Sequence, residues 1–184
     1  KMAQNGYQFS SANSINWGRL LPQIVYYFAA YLNLVNQKAI AYGDNVDFVV
    51  PTGNFGNILA AYLAGKMGIP VGKLICASNE NKVLTDFIKT GVYDARRDFH
   101  LTNSPSMDIL ISSNLERLIY LLAERDGQAV ADWMKALETE KVYEVSDVVK
   151  AGLADFYGGF CTEEETLETI EKLWKEEKYL TDTH

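Results

Sequence analysis

One stretch constrains the fold of this chain more than any other. Val46 to Val50 is a short β-branched and aromatic run, as expected of a buried strand. Thr52-Gly53-Asn54-Phe55-Gly56-Asn57 follows as a turn, and Ile58 to Met67, rich in Ala and Leu, reads as a helix ended by Gly68. Lys73 to Ala77 is a second strand, and Asn81 to about Thr90 a second helix, stopped by Gly91. Strand, glycine-rich turn, helix, strand, helix is the pattern of a parallel βαβ unit. The expected fold is therefore α/β, a three-layer αβα arrangement around a mainly parallel sheet.

The flanking segments fit one unit spanning residues 1–184, with residues 128–178 as its helical, acidic C-terminal portion. Residues 1–18 read as loop. Arg19 to about Tyr42 is predicted helical, with Pro22 in its first turn and Gly43 as the stop. Leu101 to Ile111 is irregular and carries Ser104-Pro105-Ser106. Ser113 with Glu116, and Thr162 with Glu165, have the spacing of capping boxes. These would open helices to about Arg125 and Lys178. Val130 to Glu140 reads as helix, Val142 to Val145 as a short strand and Asp147 to Ala154 as a helical turn or two. Tyr157-Gly158-Gly159-Phe160 reads as a break. Tyr26, Tyr27 and Tyr31 form an aromatic stripe assigned to core packing.

Charge narrows the partners. The net charge is −7 and the pI about 4.9, which argues against nucleic acid or an anionic membrane. The acidity is C-terminal: residues 121–184 hold 16 of the 24 acidic groups, and the preceding residues are near neutral. An anion site is thus expected in the first two thirds. Two well-separated cysteines, Cys76 in an apolar run and Cys161, suggest reduced thiols and a cytoplasmic setting. The longest apolar stretch, Ile24 to Val35, falls short of the roughly 20 residues a membrane span needs. Neither His100 nor His184 lies in a metal-ligand spacing, so no metal site is read. No Gly-x-Ser-x-Gly elbow is present.

Two segments have the chemistry of anion sites. In the 52–57 turn, two glycines allow close backbone approach, and the helix start leaves N–H donors unpaired. It lacks the Lys-Ser/Thr of a P-loop and the three glycines of a dinucleotide fold. A plain βα turn with Asn as N-cap would use the same residues. The second segment, Asn13-Ser14-Ile15-Asn16-Trp17-Gly18-Arg19, sets a guanidinium and short donors before a helix. Its alternative is an N-cap by Ser14 or Asn16 with Arg19 merely solvated.

Taken together, these segments resemble threonine synthase, a pyridoxal-phosphate enzyme of fold type II in the tryptophan-synthase-β-like class. The resemblance rests on Asn13 to Gln23, on Pro51 to Asn57, on Ser104-Pro105-Ser106-Met107-Asp108-Ile109 with Ser112 to Arg117, and on Tyr179 to His184. It implies a large-domain fragment of an enzyme converting O-phospho-L-homoserine and water to L-threonine and phosphate. It implies that Gly53, Asn54, Phe55, Gly56 and Asn57 cradle the pyridoxal 5'-phosphate phosphate, and that Ser14, Asn16 and Arg19 bind the substrate phosphate. It gives no role to Asp108 or the Ser104–Ser106 loop. The family's Schiff-base lysine belongs to an upstream segment that nothing in this chain resembles, so the 184 residues alone are expected to be inactive. Other fold-type-II enzymes (threonine dehydratase, cysteine synthase) and a non-catalytic phosphate-ligand module are the alternatives. The two anion loops are expected to be separable, Arg19→Ala harming only substrate binding and Gly56→Val only cofactor binding.

Overall fold

A computed structural model describes residue 6 and residues 14–184 of the chain. Asn13, named above in the second anion segment, and most of the expected N-terminal loop lie outside the described residues. The elements in order are α1 (Trp17–Asn36), β1 (Val46–Pro51), α2 (Gly56–Lys66), β2 (Val71–Ser78), α3 (Val83–Thr90), β3 (Val92–Asp94), α4 (Leu115–Leu122), α5 (Gly127–Glu140), β4 (Val142–Glu144), α6 (Asp147–Gly152), β5 (Phe156–Phe160) and α7 (Glu163–Glu177). A 3-10 turn at Pro105–Met107 interrupts the long connection before α4. Among the described residues no helix is long and apolar enough to cross a membrane.

The main sheet is parallel, in the order β1-β2-β5, and β3 pairs antiparallel with β4 as a separate ribbon. Val50 aligns with Cys76, and Cys76 with Gly158, so β2 is central. Because the three strands run the same way, Pro51, Ser78 and Phe160 end at one edge. In open parallel sheets that edge is where ligands bind. Helix α2 is apolar on nearly every side: Ile58, Leu59, Ala60, Ala61 and Ala64 are all buried. It packs on the sheet and on α1, and α1 itself reaches the sheet where its Tyr27 meets Phe48 of β1 edge to face at 5.0 Å. Burial of a side chain the size of Ile58 or Leu59 contributes about 1.5–3 kcal/mol.

The structure corrects several sequence expectations. Tyr157-Gly158-Gly159-Phe160 is not a break but the body of β5. A Cβ on Gly158 would lie 2.7 Å from Thr85 Cα and 2.8 Å from the Thr85 carbonyl oxygen. The glycine is there so that α3 can pack backbone-close on the strand. The Thr85 hydroxyl seals the contact by donating to the Gly159 carbonyl at 2.8 Å. Gly158→Ala should therefore cost about 1–3 kcal/mol in urea unfolding. Gly159→Ala, whose Cβ would meet nothing within 4 Å, should cost well under about 1 kcal/mol. Equal losses at the two positions would contradict the packing argument.

Helix α1 starts two residues earlier than expected, so Pro22 lies in its second turn. It ends at Asn36 rather than Tyr42, because Lys38 turns left-handed (φ 59°) well before Gly43. Tyr27 and Tyr31 are core residues, as expected, but Tyr26 is exposed. The Thr162–Glu165 capping box forms. The Ser113–Glu116 box does not: Asn114 is the N-cap of α4, and its side chain bonds elsewhere.

Candidate functional site

From Gly53 on, the turn after β1 is fixed through its carbonyls and leaves its amides open. Thr52 N–H closes on the Ala77 carbonyl at 2.8 Å, and the Thr52 hydroxyl on that of Val50 at 2.6 Å. The Gly53 carbonyl accepts from Ser112 Oγ at 2.9 Å. The Asn54 carbonyl accepts from both the backbone and the side-chain amide of Asn114, each at 3.0 Å. Phe55 is left-handed (φ 64°, ψ 2°) and has no side chain capping α2. A left-handed residue with a Cβ costs roughly 1–2 kcal/mol. The ring, 1% exposed and tilted against Phe156 at 6.0 Å, supplies the burial that offsets it.

The consequence is a cluster of donors. Among the described residues, the N–H groups from Gly53 to Ile58 have no protein acceptor; Leu59 N–H, bonded to the Phe55 carbonyl, is the next one satisfied. They sit at the positive end of an eleven-residue helix. This arrangement fits a phosphate group. The alternative of an Asn N-cap is not seen: Phe55 takes the N-cap position and no side chain caps α2. Asn57 accepts from the Tyr27 hydroxyl through both its backbone and side-chain oxygens. This pins α1 to the start of α2.

The second predicted segment lies against the first. A Cβ on Gly56 would be 2.3 Å from Ser14 Oγ and 2.7 Å from Ser14 Cβ. Gly56 thus makes room for Ser14, and the two loops are contiguous. Asn16 is the N-cap of α1, its Oδ1 accepting from Gly18 N–H at 2.8 Å. Arg19, one turn on, is exposed, and among the described residues its guanidinium makes no ion pair.

Sequence reasoning assigned no role to the residues that join these loops. Asn114, wholly buried, donates Nδ2 to Ser14 Oγ at 3.1 Å as well as to Asn54. Arg117 donates to the Ser14 carbonyl at 3.1 Å, to the Ile15 carbonyl and to Asn114 Oδ1, and lies 5.0 Å over the Trp17 ring. Ser112 is held in turn by Tyr93, whose hydroxyl accepts from Ser112 N–H and donates to the Leu110 carbonyl, each at 2.9 Å.

Asp108 also gains a structural role. Its carboxylate accepts from Asn79 Nδ2 (2.7 Å), Asn81 Nδ2 (3.1 Å), Thr102 N–H (2.9 Å) and Thr102 Oγ1 (2.7 Å). This ties the end of β2 to the 3-10 turn, which packs on Gly53 so closely that a Cβ there would be 2.9 Å from the Ser106 carbonyl oxygen. Burial alone raises the Asp108 carboxyl, but the bonds from Thr102, Asn79 and Asn81 outweigh it and hold the group below the ordinary carboxylate range. Since the folded value is depressed, the stabilisation is present above the unfolded value near pH 4 and lost as pH falls through the folded one. Asp108→Asn should cost about 1–3 kcal/mol at pH 7 and much less at pH 2. Urea unfolding at the two pH values checks this, and equal stability at pH 7 would contradict it.

A cleft of about 230 Å³ opens at the strand ends, between Pro51, Ser78, Asn79, Met107 and the segment Thr181 to His184. A larger groove of about 590 Å³ between α2, α4 and α5 is mainly apolar, with Glu116 and Arg117 at its edge. The smaller cleft is lined by Pro51 and Met107, which flank the donor turn.

The chain is 52% identical over 181 residues to threonine synthase-like 1 of Macaca fascicularis. It is 40% identical over 192 residues to threonine synthase of Saccharomyces cerevisiae. Each alignment takes in 97% of this chain, but only 24% and 37% of those proteins. The fold superposes on the pyridoxal-phosphate-bound threonine synthase of Brucella melitensis with a TM-score of 0.87 at 43% identity, covering 95% of this chain and 37% of that one. The chain corresponds to one segment of threonine synthases and threonine synthase-like proteins. No family model matches it. The mainly parallel sheet expected from the sequence is thus also that of solved threonine synthases. The chain spans roughly a quarter to a third of the threonine synthases and threonine synthase-like proteins it matches.

Proposed function

We propose that this chain provides the two phosphate-binding loops of a pyridoxal-phosphate-dependent enzyme that converts O-phospho-L-homoserine and water to L-threonine and phosphate. The observation that carries this reading is the run of amides from Gly53 to Ile58, unpaired among the described residues, beside the Ser14–Arg19 segment. Gly53, Asn54, Phe55, Gly56 and Asn57 would hold the cofactor phosphate through those amides. When bound, pyridoxal phosphate supplies an electron sink for carbanions.

Ser14, Asn16 and Arg19 would hold the substrate phosphate. That group is also the leaving group: the bond from the γ-carbon to its oxygen breaks, and phosphate departs. Arg19 would balance its charge as it leaves, and its position at the start of α1 adds the positive helix end to the same task. The fixed relation of the two loops would set the distance between cofactor and leaving group. A cytoplasmic location is part of this reading, in keeping with two free cysteines, one buried and one exposed.

The test is threonine formation from O-phospho-L-homoserine by the full-length protein with pyridoxal phosphate. Cofactor binding without threonine would move the reading to a relative with another substrate. Absence of cofactor binding would leave a non-catalytic module. The 184 residues alone are expected to release no phosphate. Catalytic lysines are activated by desolvation or a neighbouring cation, and none of the described lysines is buried. Phosphate release by the isolated chain would refute this expectation.

A further inference from the structure

Two loops some forty residues apart in sequence touch through a glycine and are bridged by a third segment about sixty residues further on. The bridge is chemically saturated. A carboxamide NH2 has two hydrogens. In Asn114 one goes to Ser14 Oγ in the first loop and the other to the Asn54 carbonyl in the second. No rotation of this side chain frees one loop without freeing the other. Its Oδ1 is held by Arg117, and the same guanidinium fork takes the Ser14 and Ile15 carbonyls. A fork of fixed geometry sets the spacing of the oxygens it binds. The Trp17 ring beneath limits its sliding. Among the described residues Arg117 has no carboxylate partner, so its charge faces only neutral oxygens.

We infer that Asn114 and Arg117 are positioning residues that hold the Ser14–Trp17 segment rigidly against the Gly53–Asn57 turn, so that an anion on one loop raises the affinity of the other for its anion. This rests on the reading of the two loops as phosphate sites. The first anion orders a unit that both loops share, and the second meets it already ordered. The effect is reciprocal, because linkage requires it.

The test measures pyridoxal-phosphate affinity of the full-length protein with and without saturating inorganic phosphate. Three proteins are compared: wild type, Arg19→Ala and Arg117→Lys. Arg19→Ala lacks the charge of the Ser14–Arg19 loop and so reports only direct competition of phosphate for the cofactor cradle. Relative to it, phosphate should tighten cofactor binding in the wild type by about tenfold. Arg117→Lys keeps the positive charge but loses the fork. It should still bind both probes, with a phosphate effect within about twofold of the Arg19→Ala control. Asn114→Ala should behave alike, but Arg117 is only half-buried, so its conservative variant carries the test if Asn114→Ala fails to fold. A wild-type-sized phosphate effect in Arg117→Lys would overturn the inference, as would a wild type indistinguishable from Arg19→Ala. If the wild type bound no pyridoxal phosphate, the reading of the loops themselves would fail, and the coupling with it. That result is distinct from binding both anions without coupling.

Discussion

Gly56→Val in the full-length protein is expected to weaken pyridoxal-phosphate binding by at least about a hundredfold, on the order of 2.7 kcal/mol. The cause is steric and local. The first atom of the new side chain would fall 2.3 Å from Ser14 Oγ, and Asn114 Nδ2 at 3.3 Å closes the other side. Nothing there is the flexible end of a long side chain. Ser14 must leave, or the start of α2 must shift and carry the Gly53–Ile58 amides with it. Either movement also breaks the Asn114 bridge, so binding of the phosphorylated substrate should fall as well. This revises the separation expected from the sequence, in which Gly56 served the cofactor alone. Cofactor titration and substrate titration of the one variant check both parts. Loss of cofactor affinity with substrate affinity intact would restore the older division.

Arg19→Ala should act the other way. With the cofactor site empty of competing phosphate, cofactor affinity should stay within about threefold. Affinity for phosphorylated substrate should fall by about 1.5–3 kcal/mol, the usual worth of a hydrogen bond to a charged group. The structure supports a figure in this range rather than a larger one, since Arg19 is exposed and bulk water competes for it. Its backbone is well anchored: Arg19 N–H bonds the Asn16 carbonyl at 2.9 Å, and the Arg19 carbonyl accepts from Gln23. The substitution should therefore remove a charge without unfolding α1. A fall in cofactor affinity instead, with substrate affinity kept, would mean that the two anions are assigned to the wrong loops.

What was legible in the sequence was what depends on near neighbours. The alternation of β1, α2, β2 and α3 follows from apolar runs and glycine stops, and Gly91 does end α3 in a left-handed conformation (φ 73°). The Thr162–Glu165 box needs only four residues and forms. The Ser113–Glu116 spacing is equally good, yet it yields to tertiary demand. Asn114 caps no amide of its own helix and reaches instead across to Asn54 and Ser14. Strand β5 was hidden because Gly158-Gly159 signals a turn unless one knows that Thr85 backbone must pack against it. The donor turn was found from its glycines, but not the residue that shapes it. Phe55 takes the left-handed conformation ordinarily left to glycine, and only its burial explains why. The roles of Asn114, Arg117 and Asp108 rest on partners up to about a hundred residues away, and no local spacing encodes such contacts.

The most direct measurement is a crystal structure of the full-length protein with pyridoxal phosphate and inorganic phosphate. The account predicts two separate phosphate positions. The cofactor phosphate should lie within hydrogen-bond distance of the Gly53–Asn57 amides. The free phosphate should lie against Ser14, Asn16 and Arg19. A cofactor phosphate held elsewhere, with the Gly53–Asn57 amides bonded only to water, would contradict it.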